Sequence, residues 1–506
     1  MADSIPIVVI SGQVPTAAIG TDAFQEAPVS SIMASCAKHV FLVTDASRLE
    51  ATLRTAFEIA RTGRPGPVVV DIPKDVQNVA LSFLGKGTLP IPGYRARLRA
   101  VENAVLGDAE CARFFDALAR AERPLVYAGG GVIAAGASDA LREFAHAFGI
   151  PVTTTLMGLG AYDTTDTLSL QMLGMHGTAF ANYAIDDCDF LLAAGSRFDD
   201  RVAGVPSKFA RHSRFIAQLD IDPAEIDKVK HVDWHHLGDL ARAFGRLRVF
   251  GTRHRLLDAE RYAKWHEEIA TLKRIHAMNY DREARLIQPH AVIEEINRHT
   301  RGEAIITTGV GQHQMWAAQY FDFREPRLWL TSGSMGTMGF GLPAAIGAQF
   351  ARRDRIVIDV DGDASIRMTI GELETVTTYN LPIKIVVLNN CGDGMVRQWQ
   401  KLFFKGRFSA SDKSLHKKDF VKAAQADGFA WAKRLDRRED LARVIGEFIA
   451  FEGPAFLEVV IDPDAGVYPM VGPGMSYAEM ITGDHIASRI ARAATPARDA
   501  GSAEMF

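Results

Sequence analysis

The segment Asp361-Gly362-Asp363-Ala364-Ser365 ends one short apolar run and Asn389-Asn390 ends the next, with Asn390 lying 27 residues beyond Asp363. That interval accommodates a strand end, a crossover helix over 368–379 and a second strand. Both polar side chains then emerge at the carboxyl edge of neighbouring parallel strands. A carboxylate with a carboxamide is hard oxygen ligation, suited to Mg²⁺ that also holds phosphate oxygens. A lone Gly-Asp reads equally well as a polar turn capping a helix; the Asn-Asn at this spacing favours the metal. Just upstream, Ser332-Gly333-Ser334-Met335-Gly336-Thr337-Met338-Gly339-Phe340-Gly341 precedes Pro343 and an Ala-rich helix. Its glycines admit a ligand close to the backbone, and the helix start offers N–H donors to an anion.

Positioning such groups takes a parallel sheet. Short apolar runs alternate with amphipathic stretches along nearly the whole chain, the rhythm of α/β units. Strands are predicted at 5–10, 40–43 and 68–72, with a helix over 46–62 closed by Gly63. A polar stretch at 85–99 reads as a linker. A second block has strands near 124–128, 150–154, 189–194 and 215–220. A charged helical region at 258–279 and the breaker Gln288-Pro289 lead to a third block, with strands near 304–307, 355–359, 383–388 and 455–461. The run at 5–10 is almost wholly apolar, the mark of a strand buried on both faces. The first block is half the size of the others, so either another subunit completes it or it is a truncated domain.

The chain has 506 residues, about three domains' worth. Its 57 Lys+Arg against 61 Asp+Glu leave a net charge of −4, which offers no footprint for nucleic acid or an anionic membrane. Cys36, Cys111, Cys188 and Cys391 are scattered, arguing against a disulfide framework or structural zinc and for a reducing cytosol. No apolar run approaches the roughly 20 residues that span a bilayer. The expectation is a soluble, cytoplasmic protein; the tail at 494–506 is expected to be disordered. His231, His235 and His236 lack the glutamate of a zinc-protease motif and read as solvated or structural.

The Gly-Asp and Asn-Asn pair resembles the thiamine-diphosphate signature. Gly311-Gln312-His313-Gln314-Met315-Trp316-Ala317, Thr337-Met338-Gly339-Phe340-Gly341-Leu342-Pro343 and Gly394-Met395-Val396-Arg397-Gln398-Trp399-Gln400 resemble catalytic subunits of the acetohydroxyacid (acetolactate) synthase family. The similarity runs from residue 1 to about residue 475. It implies three doubly wound parallel-sheet domains: 1–84, the truncated C-terminal part of the pyrimidine-binding domain; 100–255, the central FAD-binding domain; and 280–475, the diphosphate- and Mg²⁺-binding domain. Residues 476–506 are then a lid helix and tail. The resemblance implies that Asp363 and Asn390 bind Mg²⁺ through their side chains and Gly392 through its carbonyl. Gly336, Met338, Gly362, Ala364 and Ser365 then line thiamine diphosphate, with Met395 as the apolar wedge beneath it. Apart from the resemblance, Met395 reads as a core methionine.

Gly129-Gly130-Gly131 is not a full dinucleotide fingerprint and is weak alone. With Thr155-Leu156, Leu173-Gly174-Met175-His176, Gly195, Arg197, Asp199, Arg201, Asp220-Ile221 and Gly238-Asp239 it resembles the family's flavin domain, which Arg64 reaches from the first block. That FAD is structural, since carboligation transfers no net electrons. Arg201 matches the arginine that binds the acceptor's carboxylate. Trp399 matches the tryptophan that favours 2-ketobutyrate, whose extra methylene is worth about 1–3 kcal/mol in a pocket. Apart from the match, the first reads as a surface ion pair and the second as core. Gln25 and Lys74, with Pro15 and Ala23, match the substrate channel.

The implied enzyme is a transferase. It decarboxylates pyruvate and condenses the hydroxyethyl group with pyruvate or 2-ketobutyrate, the first common step of branched-chain amino acid biosynthesis. It implies a homodimer or homotetramer and a small regulatory subunit. The family's activating glutamate has no match, and Glu26 does not fit it; that residue is expected in a segment upstream of Met1. The chain taken alone is therefore expected to show little synthase activity, and an upstream-extended form to be active. The competing expectation is a catalytically impaired cofactor-binding paralogue. A sibling decarboxylase is disfavoured by Arg201 and Trp399.

Overall fold

The computed structural model describes residues 1–489, in which the strands form three wholly parallel sheets. The first contains β1 (Val8–Gln13), β2 (His39–Leu42) and β3 (Val68–Pro73), in the order β1-β3-β2. The strand expected at 5–10 starts three residues later and is not buried on both faces: β1 is an edge strand, and Ile10 is 62% exposed. Full burial falls to β3, which has a neighbour on each side. The helix Leu49–Arg61 lays Ala56, Ile59 and Ala60 into this core. The Lys38 ammonium closes it, donating to the carbonyls of Ile59 (2.6 Å) and Thr62 (2.5 Å). The linker at 85–99 is only partly irregular, because Tyr94–Glu102 is helical and Arg95 pairs with Glu58 at 2.6 Å.

The second sheet contains β4 (Pro124–Ala128), β5 (Val152–Thr154), β6 (Ser169–Met172), β7 (Phe190–Ala194), β8 (Phe215–Asp220) and β9 (Trp234–Leu237). Its order is β6-β5-β4-β7-β8-β9, so the winding reverses between β4 and β7 and opens a crevice at their carboxyl ends. Edge-to-face phenylalanines, with Phe114 against Phe115, Phe144 and Phe190, fill the core.

The third sheet contains β10 (Ile305–Thr308), β11 (Trp329–Leu330), β12 (Val357–Gly362), β13 (Lys384–Asn389), β14 (Trp431–Leu435) and β15 (Ala455–Val460), ordered β11-β10-β12-β13-β15-β14. Here the reversal lies between β10 and β12. The crossover expected as one helix over 368–379 is instead two 3-10 turns, Ile366–Met368 and Ile370–Glu372, and the short helix Leu373–Thr378. Gly371 and the β-branched Thr375-Val376-Thr377 run disfavour a longer one.

Val471, Tyr477, Met480 and Ile486 pack into the middle core, and Tyr477–Glu479 is a single 3-10 turn. The lid helix expected from 476 onward does not form as far as 489, where the chain is turns and the bridge of Ile481 to Met470; residues from 490 on, the tail at 494–506 included, lie outside the described residues. Among the described residues no helix is long and apolar enough to cross a membrane.

Candidate active site

Three loops meet where the third sheet reverses: 309–311 after β10, the glycine-rich 336–341, and 362–365 after β12. The Ser365 hydroxyl ties them together, accepting from the N–H of Gly339 (2.9 Å) and Val310 (3.4 Å). The glycines are needed because the chains touch. A side chain on Gly309 would collide with Asp361 and Ser365, one on Gly341 with Asp359, and one on Gly362 would come within 2.6 Å of the His313 ring. Gly336 and Gly339 take left-handed φ of 64° and 82°. Beneath them, burial raises the carboxyls of Asp359 and Asp361 and drives His313 down to about 3.

Asp363 follows β12 and Asn390 follows β13, brought side by side by the register Gly362↔Leu388. Asp363 is 2% exposed, and burial pushes its carboxyl up to about 7, outweighing the pull of Arg367. A carboxylate so placed calls for a cation, and with the Asn390 amide it is a donor set that fits a hard divalent ion. Gly392 faces Asp412 in an antiparallel bridge, flanked by hydrogen bonds from Asp393 N–H to Ser411 (2.9 Å) and from Lys413 N–H to Cys391 (2.8 Å). In that geometry the Gly392 carbonyl points away from the bridge, available to a ligand.

The helix Gly394–Phe403 carries Met395 and Trp399 one turn apart on one face, both half-buried. Met395 packs against the third core, and the Trp399 ring lies 5.0 Å from that of Phe403. Met338 is half-buried in the glycine loop and Ala364 is buried beside Asp363. Gln25 is exposed at φ 65°, and Lys74 opens the short helix after β3. Among the described residues, neither makes a hydrogen bond or ion pair to the third sheet's loops. Arg201 is exposed, 3.8 Å from Asp200 and 4.0 Å from the Met175 sulfur. Glu26 staples its own loop, accepting the N–H of Gly20 and Ala23, and these bonds lower its carboxyl.

At the second sheet's reversal, a side chain on Gly129 or Gly131 would strike the backbone of Gly195. Thr155 accepts from Gly158 N–H at 2.9 Å, just before Leu156. Asn182 brackets Gly174, accepting its N–H (3.0 Å) and donating to its carbonyl (2.9 Å), which holds the Leu173-Gly174-Met175-His176 loop. His176 lies 3.2 Å from the Pro469 carbonyl. Arg197 donates to Ser334 at 2.8 Å, bridging to the glycine-rich loop, while burial raises the Asp199 carboxyl. Asp220 accepts the N–H of Ile221 and Asp222, and burial pushes it up to about 6. Gly238 lies against His236, and Asp239 caps the helix Leu240–Arg253. Arg64 crosses from the first unit to donate to the buried Glu225 at 2.6 Å. The bare backbone of Gly129, Gly131 and Gly195 at this reversal, with the Arg197 guanidinium two residues beyond Gly195, is a donor set that fits a dinucleotide's diphosphate. His231 pairs with Asp227 at 3.0 Å and His236 is buried in β9.

Gln312 and Gln398, both buried, stand in the family-like words with no role of their own implied there, and Gly309 lies outside them. The glycine at 309 carried a signal, a Gly-Val-Gly directly after an apolar run. The two glutamines carried none, since only the packing of distant segments makes them meet.

A parallel sheet with an acid–amide pair at its carboxyl edge, beside a winding reversal that gathers a glycine-rich loop, fits a thiamine-diphosphate enzyme. The family models described as "Thiamine pyrophosphate enzyme, C-terminal TPP binding domain" and "Thiamine pyrophosphate enzyme, central domain" match residues 309–459 and 111–247. The chain is 42% identical over 489 residues to acetolactate synthase 1, chloroplastic, of Nicotiana tabacum, covering 95% of this chain and 72% of that one. It is 44% identical over 482 residues to the acetolactate synthase large subunit of Parasynechococcus marenigrum (95% and 76% covered), and 41% over 487 to that of Corynebacterium glutamicum (94% and 76%). The chain belongs to the acetolactate synthase family, as a large catalytic subunit serving branched-chain amino acid biosynthesis.

Proposed function

We propose that the carboxyl edge of the third sheet condenses two 2-keto acids, with Mg²⁺ held by Asp363, Asn390 and the Gly392 carbonyl. The observation that carries this is the buried Asp363 carboxyl beside Asn390, raised by a desolvation penalty that a divalent ion relieves. Thiamine diphosphate, when bound, supplies the electron sink for decarboxylating pyruvate. The loops at 336–341 and 362–365 cradle its diphosphate with backbone N–H groups, and Met395 presses on it from the helix Gly394–Phe403. Trp399 offers apolar surface to the acceptor's side chain, so 2-ketobutyrate gains over pyruvate; Arg201 offers a guanidinium to its carboxylate. Gln25 and Lys74 line the approach from a second copy of the chain. Exposed apolar groups beside both edges, Phe24 on the first unit and Met335 and Met368 on the third, support pairing of copies into a homodimer or homotetramer.

FAD belongs in the crevice between β4 and β7, held by the glycine loops, Arg64 and Arg197, as a structural group. Three domains at 1–84, 100–255 and 280–475, a small regulatory subunit and a cytoplasmic setting complete the reading. The last is supported by four cysteines that are all free thiols. The test is acetolactate formation from pyruvate by the purified protein, which should require thiamine diphosphate and Mg²⁺ together. Undiminished formation after Mg²⁺ is stripped by a chelator would overturn it.

A further inference from the structure

We propose that Gln312 and Gln398 are positioning residues which hold the Asn390 amide in the single orientation that turns its oxygen toward a metal; this rests on Asn390 being a ligand. Three buried carboxamides stand in series, and the backbone sets the first. The Gln398 oxygen accepts from Val467 N–H and its nitrogen donates to the Val467 carbonyl, both at 2.9 Å. Only one orientation of that amide satisfies both partners. Gln312 follows from it, donating its nitrogen to the Gln398 oxygen (2.8 Å) and the Ala465 carbonyl (3.2 Å). The Gln312 oxygen is thereby committed as an acceptor, and Asn390 Nδ2 donates to it at 3.0 Å.

Asn390 thus has its nitrogen turned to Gln312 and its oxygen turned away. Reversal would set oxygen against oxygen in a buried site. Gly394 keeps the pair closed, since any side chain there would collide with both the Gln312 oxygen and the Asn390 nitrogen. Asp363 needs no such device, because both ends of a carboxylate are acceptors. An amide ligand does need one, as only half of it can bind a cation. The reference for the relay is the backbone at 465–467, beyond β15 and far along the chain from either ligand.

The test is Mg²⁺ titration in the presence of thiamine diphosphate, read by calorimetry, with thermal unfolding recorded for each variant. Gln312→Leu should weaken the apparent Mg²⁺ affinity about 10- to 100-fold, the usual cost of losing a group that orients a ligand. Gln398→Leu, one step further away, should weaken it in the same direction by less. The double variant Gln312→Leu/Asn390→Asp should bind Mg²⁺ more tightly than Gln312→Leu, since a carboxylate at 390 needs no orienting. A purely structural role for Gln312 would not be rescued from position 390. Unchanged affinity in Gln312→Leu, or no recovery in the double variant, overturns the relay. Asn390→Ala separates the two claims: if it binds Mg²⁺ normally the ligand reading itself fails, whereas if it loses Mg²⁺ while Gln312→Leu does not, only the relay fails.

Discussion

Asp363 and Asp220 show what burial does to a carboxylate in this chain. Both end or follow a parallel strand, both are shielded from water, and both are pushed upward, to about 7 and about 6. Asp220 offers a clean pH test, because its value lies above the roughly 3.9 of an unfolded aspartate. Its favourable contribution is whole below about pH 4 and is lost as pH rises through about 6. Asp220→Asn keeps an oxygen for the N–H of Ile221 and Asp222, so it should gain thermal midpoint on the wild type between pH 4 and pH 7. Parallel midpoints across that range would show that Asp220 carries no such penalty. At Trp399 the prediction is catalytic. Trp399→Leu should lower the share of acetohydroxybutyrate when 2-ketobutyrate competes with pyruvate, while acetolactate still forms. An unchanged product ratio would show that Trp399 does not touch the acceptor.

At the scale of elements, the loops work because they can approach one another. Gly309→Ala would drive a methyl into Asp361 and Ser365, and should destabilise the chain by about 1–3 kcal/mol, measurable by denaturant unfolding. A midpoint equal to wild type would mean that the loops yield freely. Sequence patterning made the buried strands legible: β4 and β8 fall where the apolar runs at 124–128 and 215–220 put them. The Asp363/Asn390 juxtaposition was legible too, since a strand–crossover–strand interval fixes it. The edge strands of the second sheet were not. Ser169-Leu170-Gln171-Met172 and Trp234-His235-His236-Leu237 mix polar groups into too short a run to register. The run at 5–10 misled for the opposite reason: apolar content signalled burial on both faces, while β1 has a neighbour on one side only. The Gln312–Gln398 contact spans 86 residues and has no local signature.

For the whole molecule, side-chain bonds tie the units together beside the apolar packing of Val471, Tyr477, Met480 and Ile486 into the middle core. Arg64 ties the first sheet to the second through the buried Glu225, and Arg197 ties the second to the third through Ser334. Removing the Arg64 guanidinium leaves the buried Glu225 carboxylate to Lys228 alone, at 3.2 Å. Arg64→Ala should therefore loosen the first unit and speed proteolytic cutting in the stretch between Gln77 and Tyr94; an unchanged cutting pattern would show that the joint is carried elsewhere. The catalytic reading of the molecule depends on the metal–diphosphate site at the edge of the third sheet. Calorimetric titration with thiamine diphosphate, with and without Mg²⁺, in the wild type and in Asp363→Ala addresses it most directly. Saturable, Mg²⁺-dependent binding to the wild type and its loss in the variant is the predicted result; undiminished Mg²⁺-dependent binding to Asp363→Ala would contradict it.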